Sequence, residues 1–396
     1  MTGKRTTFCL AALFLASITL AACGGGGGGG GVAPPPPAAP VITKFAALDN
    51  VQETTGSTST GVGGAILTVD TGTGQVRGFV VSTGVDNVTA AHVHTAARGI
   101  AGGITIPLVG GPDHWFVPDN AAVLDATQIA DFVAGNMYYN IHNLAFSGGA
   151  IRGQLDVTPT TTSLASLDNT QETTGSTSTG VGGAILGVEA ATGRVRGFAV
   201  STGVDNVTAA HVHTAARGIA GGITIPLVGG PDHWFVPDNA AVLDATQIAD
   251  FVAGNMYYNI HNLAFSGGAI RGQLDLTPTE MKHASLDNTQ ETTGSTSTGV
   301  GGAILGVVTA TGRVGGFAVS TGVDNVTAAH VHTAARGIAG GITIPLVGGP
   351  DHWFVPDNAA LLNGTQITDF EAGNMYYNIH NLAFSGGAIR GQLDFP

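Results

Sequence analysis

The chain has 396 residues with 27 acidic against 14 basic side chains, a formal charge of −13, only 10% charged residues and 62 glycines. An acidic balance without any Lys/Arg cluster argues against nucleic acid and anionic lipid as partners. The two cysteines, Cys9 and Cys23, both lie near the start, so no disulfide staples residues 24–396 and stability must come from apolar burial.

Lys4 and Arg5 precede an apolar run, Phe8 to Leu20, that is too short to anchor as a bilayer-spanning helix. It ends in Leu20-Ala21-Ala22-Cys23, which resembles the lipobox of bacterial lipoproteins. The resemblance implies that residues 1–22 are a signal peptide, that Cys23 carries the lipid, and that the protein is held extracytoplasmically on a membrane. Gly24 after the cysteine points to the outer membrane where the envelope has two. Residues 23–42 read as a tether, because Gly24 to Gly31 is flexible coil and Pro34 to Pro37 an extended spacer. Further along, no apolar stretch is long enough to cross a bilayer as a helix.

One segment of about 119 residues is then written three times. AAHVHTAARGIAGGITIPLVGGPDHWF recurs at Ala90, Ala209 and Ala328. This gives three domains, 43–157, 163–276 and 282–396, joined by short linkers carrying Pro159 and Pro278 and expected to sit like beads on a stiff string. Copies this alike make identity weak evidence of selection, so positions where they differ carry more information.

Within a repeat, glycine-bounded runs rich in Val, Ile, Thr and Phe predict strands over 44–48, 64–69, 75–82, 88–95, 103–109, 137–143 and 150–157. Asp125-Ala126-Thr127 caps a predicted helix over 128–134, with Gly135 as its stop. In the third repeat Glu371 replaces Val133, which gives that helix a solvent-facing side. The pattern predicts an all-β chain of three tandem antiparallel β-sandwiches, immunoglobulin-like or superoxide-dismutase-like, each with a short crossover helix.

Histidine placement carries the chemistry. In the strand Ala91-His92-Val93-His94 both imidazoles fall on one face, and Tyr138, Asn140 and His142 share a face of the strand over 137–143. Pairing of these strands would bring together His92, His94 and His142, with His211, His213 and His261 and then His330, His332 and His380 as the copies. Imidazole suits zinc, copper or nickel, of which copper or zinc is the expected ion; the same side chains can instead donate to loop carbonyls and close one end of a sandwich. His114 lies in a Gly/Pro-rich stretch read as a loop, with Trp115 and Phe116 as core anchors plugging the sandwich end or, alternatively, as an exposed aromatic loop that meets a ligand. Arg152, Arg271 and Arg390 occur in every copy and are expected to tie a strand to a carbonyl or carboxylate, or to meet a ligand. Arg77 and Arg196 give way to Gly315 in the third copy, which marks them as dispensable to the fold. Asp49, Asp86 and Asp119, each followed by Asn, read as Asx-turn residues rather than a calcium cage. No Ser-His-Asp arrangement, P-loop or dinucleotide fingerprint is present.

Taken in order, His92-Val93-His94, Ile104-Thr105-Ile106-Pro107-Leu108, Tyr138-Tyr139-Asn140-Ile141-His142 and Ile151-Arg152-Gly153-Gln154-Leu155 resemble the CHRD domain, a family named for chordin. The resemblance covers nearly all of each repeat and implies a β-sandwich and an extracytoplasmic life, but little about activity. The family usually has Glu before Ile-Arg-Gly; Ala150, Ala269 and Ala388 stand there, which puts a role for that carboxylate in doubt. A fainter likeness to copper–zinc superoxide dismutase implies at most a mononuclear site, because four histidines per repeat cannot build its dinuclear centre. The expected function is a non-enzymatic, lipid-anchored envelope protein presenting a binding or spacing surface to an unidentified ligand. The alternative is a copper- or zinc-binding envelope protein with one mononuclear site per repeat.

Overall fold

The computed structural model describes residues 40–395; the leader, Cys23 and the Gly/Pro-rich segment before Pro40 lie outside the described residues. In the first repeat the strands are β1 (Val41–Leu48), β2 (Val62–Asp70), β3 (Val76–Thr83), β4 (Val88–Thr95), β5 (Gly103–Pro107), β6 (Val109–Gly110), β7 (His114–Phe116), β8 (Met137–Asn143) and β9 (Ile151–Gln154), with helix α1 (Ala126–Ala134) between β7 and β8. β1 thus begins inside the segment read as tether, and His114–Phe116 is a short strand rather than loop. The helix matches its signals: Asp125 accepts from the amides of Thr127 and Gln128, Gln128 bonds back, and Gly135 closes the end in the left-handed region. Val133 is exposed, as the Glu371 substitution implied.

Two antiparallel sheets form each sandwich, a five-stranded one ordered β1-β2-β3-β7-β6 and a four-stranded one ordered β5-β4-β8-β9, and the pattern recurs in all three repeats. The core between them holds Leu67, Val69, Val80, Val93, Trp115, Phe132, Tyr139 and Ile141. The four-stranded sheet has one apolar face. The five-stranded sheet has two, because Ile66, Phe79, Val81 and Phe116 point away from that core. An apolar face of this size needs cover.

Cover comes from the other repeats, and the beads-on-a-string expectation fails here. The described residues, 40–395, form one compact unit. β1 packs on Arg194–Thr202 of the second repeat, Thr161–Leu167 on Arg313–Thr321 of the third, and Glu280–Leu286 returns to β3. The ring is closed with pseudo-threefold symmetry. Its axis is lined by Phe79, Phe198 and Phe317, whose rings meet edge to face with centroids 5.9–6.2 Å apart. Around the rim Arg98 pairs with Asp238, Arg217 with Asp357 and Arg336 with Asp119, each at 2.9 Å. Asp119 also pairs with Arg77, so it is an interface anion rather than an Asx-turn residue.

Glycine in mid-strand now has a reason. A Cβ on Gly64 would lie 2.9 Å from Phe198 and Phe235 of the next repeat, and Gly183 and Gly302 meet the phenyl rings of their own neighbours in the same way. Differences between copies also sit at the interfaces. Phe45 faces Gly187 and Leu164 faces Gly306, whereas His283 meets Thr68 through a 3.2 Å hydrogen bond. Arg77 lies against Phe395, while Gly315 makes room for Leu276. Arg77 and Gly315 are each matched to the residue opposite, which changes between copies as well. Gly183→Val should overpack the second interface and destabilise the chain by roughly 1–3 kcal/mol in a denaturant titration, with little effect if the repeats were independent.

Candidate functional site

Strand parity positions the site. Ala91 and Val93 point into the sandwich core, so His92 and His94 project from the outer face of the four-stranded sheet. In the β4–β8 register His92 opposes Asn140, His94 opposes Tyr138 and Ala90 opposes His142, which sets His142 diagonally across from His92. On the other side β9 places Arg152 opposite Asn140 and Gln154 opposite Tyr138. The outer face is roofed by loops, since His94, Asn140, His142, Arg152 and Gln154 are all buried.

The three imidazoles converge. His92 Nδ1 lies 3.1 Å from His142 Nε2, and one ring nitrogen from each of His92, His94 and His142 falls within 4.8 Å of the others. Loop carbonyls set the tautomers: His94 Nδ1–H donates to Gly102 O and His142 Nδ1–H to Ser147 O, both at 3.0 Å. With those protons placed, Nε2 of both rings carries a lone pair. His142 Nε2 accepts from His92 Nδ1–H, and His94 Nε2 is buried without any hydrogen-bond partner. His211, His213 and His261 repeat this arrangement, as do His330, His332 and His380. The carbonyl bonds that close the loops thus also fix which ring nitrogen of His94 and of His142 carries a lone pair. An imidazole held by a carbonyl at one nitrogen is the usual preparation of a metal ligand at the other.

Arg152 is a brace. It donates to Ile100 O at 2.7 Å and to Ala97 O at 2.9 Å, bonds Gln154, and lies over the Tyr138 ring 3.5 Å from its centroid. Tyr138 stacks in turn on His94 at 5.1 Å and 15°. Arg271 and Arg390 do the same. Guanidinium, phenol and imidazole thus form a stack that holds His94. Burial first, and then the arginine's cation, keep that imidazole neutral. Arg152→Lys would lose the planar stack and one carbonyl bond, costing roughly 2 kcal/mol of stability measured by denaturant unfolding.

Two groups carry no signal that local motifs would reveal. Glu53, Glu172 and Glu291 supply carboxyls on the histidine side of the sheet, beside Asn140 and its copies: a Cβ at Gly149 would lie 2.5 Å from both Glu53 Oε1 and Asn140 Oδ1. Burial pushes each up to about 7 against the opposing charge of the arginine. The second group is His114, His233 and His352, one from each repeat, whose Nε2 atoms meet 3.0–3.1 Å apart at the axis.

Burial lowers the histidines, taking His142 to about 4 and His233 to about 3. A folded value below the unfolded 6.5 means that the unfolded chain binds more protons, so this stabilisation is complete above pH 6.5 and is lost as pH falls through about 4. The three raised glutamates act oppositely, stabilising below 4.5 and losing that contribution as pH rises through 7. Burial also raises Asp49, Asp113, Asp232 and Asp351, so 13 lowered histidines stand against seven raised carboxyls, and the histidines dominate by number. The metal-free chain should lose stability between pH 6.5 and 4, with a thermal midpoint that falls monotonically across that window.

The family model described as CHRD domain matches residues 45–155, 164–274 and 283–393. No curated protein and no solved structure matches the chain. No helix of the described residues is long and apolar enough to cross a membrane. With three matches spanning most of its length, the chain belongs to the CHRD-domain family.

Proposed function

We propose that this is an envelope metal-binding protein in which each CHRD repeat takes one copper or zinc ion between His92, His94 and His142 or their copies. The reading rests on the pair of Nε2 lone pairs per repeat, fixed by Gly102 O and Ser147 O, with His94 Nε2 buried and unpartnered. A neutral three-nitrogen set, completed when the His92 proton passes from Nδ1 to Nε2, matches the borderline-soft ions, and Zn–N bonds of about 2.0–2.1 Å ask for closure of His94 on the other two rings. Lipidation at Cys23 and attachment to a membrane are part of the proposal, supported by the lipobox resemblance. The proposed role is binding rather than catalysis.

A second reading is a surface that presents one feature three times. Leu144, Leu263 and Leu382 are each 75% exposed beside the histidine loops, and three copies on one ring would raise avidity for a repetitive partner.

The full-length protein loaded with zinc or copper and dialysed should retain about three ions attributable to the strand histidines. His92→Ala, His211→Ala and His330→Ala together should remove them. His92 is only partly buried, so the variant should still fold. Metal content unchanged by the triple substitution would sink the metal reading and leave the presentation surface.

A further inference from the structure

The three repeats close their ring around a second kind of histidine cluster. His114 stands opposite Val81 in the β3–β7 register, and two residues along Phe116 stands opposite Phe79. The same register holds for His233 with Val200 and His352 with Val319. Each repeat thus delivers one imidazole to the axis, directly beside the Phe79, Phe198 and Phe317 cluster. All three are buried, with 7–8% exposure. Loops next to them are tied across the ring, as Thr83, Thr202 and Thr321 each donate to a glycine carbonyl of another repeat.

The geometry is specific. Ring centroids are 5.0 Å apart in every pair, and Nε2 atoms are 3.0–3.1 Å apart in every pair. Dividing each side by √3 puts the centroids about 2.9 Å and the nitrogens about 1.7 Å from the axis. The difference is close to the centroid-to-atom distance of an imidazole, so each Nε2 points straight inward. That is a poor arrangement for hydrogen bonding alone. An inward N–H aims between its two neighbours and meets neither in line, although hydrogen bonds favour near-linear geometry.

It is a good arrangement for a cation. An ion with nitrogen bonds of about 2.0–2.1 Å would sit about 1 Å above the nitrogen plane, or within it after an outward shift of about 0.3 Å per ring. We propose that His114, His233 and His352 form a further metal site on the pseudo-threefold axis, taking one divalent first-row transition ion such as zinc per chain. It differs from the strand sites in kind, because each ligand comes from a different repeat. An ion bound there bolts the ring shut, and it exists only in the closed arrangement.

The test uses zinc as the probe on full-length protein, with ions counted after dialysis. The wild type should hold one ion more than a His114→Asn, His233→Asn, His352→Asn variant, and any one of those substitutions alone should release that whole ion. In the His92→Ala, His211→Ala, His330→Ala background, with the axis untouched, one ion per chain should remain and zinc should raise the thermal midpoint. That arm does not require an axial variant to fold. If the strand sites fail and the axial site holds, the wild type itself carries one ion. Zinc content unchanged by the axial substitutions, or none retained in the strand-variant background, would overturn the proposal and leave a hydrogen-bonded packing triad.

Discussion

The second apolar face of the five-stranded sheet governs the architecture. A sandwich can bury one face of each sheet by itself, but Ile66, Phe79, Val81 and Phe116 have nowhere to go within their own repeat. Three such faces meeting at an axis satisfy one another, and the chain is long enough to supply all three. Ring closure is thus the way each repeat completes its burial. The near-continuous apolar runs of β2 and β3 result from cover on both sides.

Closure then sorts the residues that distinguish the copies. A sequence repeated three times with strict identity would leave the order of repeats around the ring unspecified. Phe45 against Gly187, Leu164 against Gly306 and His283 against Thr68 are complementary in size or hydrogen bonding, and each pair crosses a different interface. Arg77 against Phe395 and Gly315 against Leu276 obey the same rule. The rim ion pairs, by contrast, recur in all three interfaces and involve partly exposed arginines, so they add little to stability. Packing along the axis contributes most.

The two histidine clusters use opposite logics. Each strand cluster is local: two strands, one face, and two loop carbonyls that fix the tautomers. The axial cluster is global, since its three members lie 119 and 238 residues apart and share no loop. Both hold imidazoles that burial keeps neutral, and neutral imidazole is the state a metal needs.

Features that rest on local periodicity were legible along the chain before any tertiary contact was known. Strand alternation puts His92, His94 and His142 on one face, and the Asp125 capping box and Gly135 mark the helix ends. The spacing of glycine-bounded runs points to an all-β sandwich in each repeat, because two-residue alternation and cap chemistry are short-range properties. Three things were settled only by the folded arrangement: the ring, the placing of Glu53 on the Arg152 side of the sheet, and the meeting of His114, His233 and His352. Those depend on which distant surfaces find each other. An apolar residue such as Phe79 looks the same in the sequence whether it fills its own core or its neighbour's.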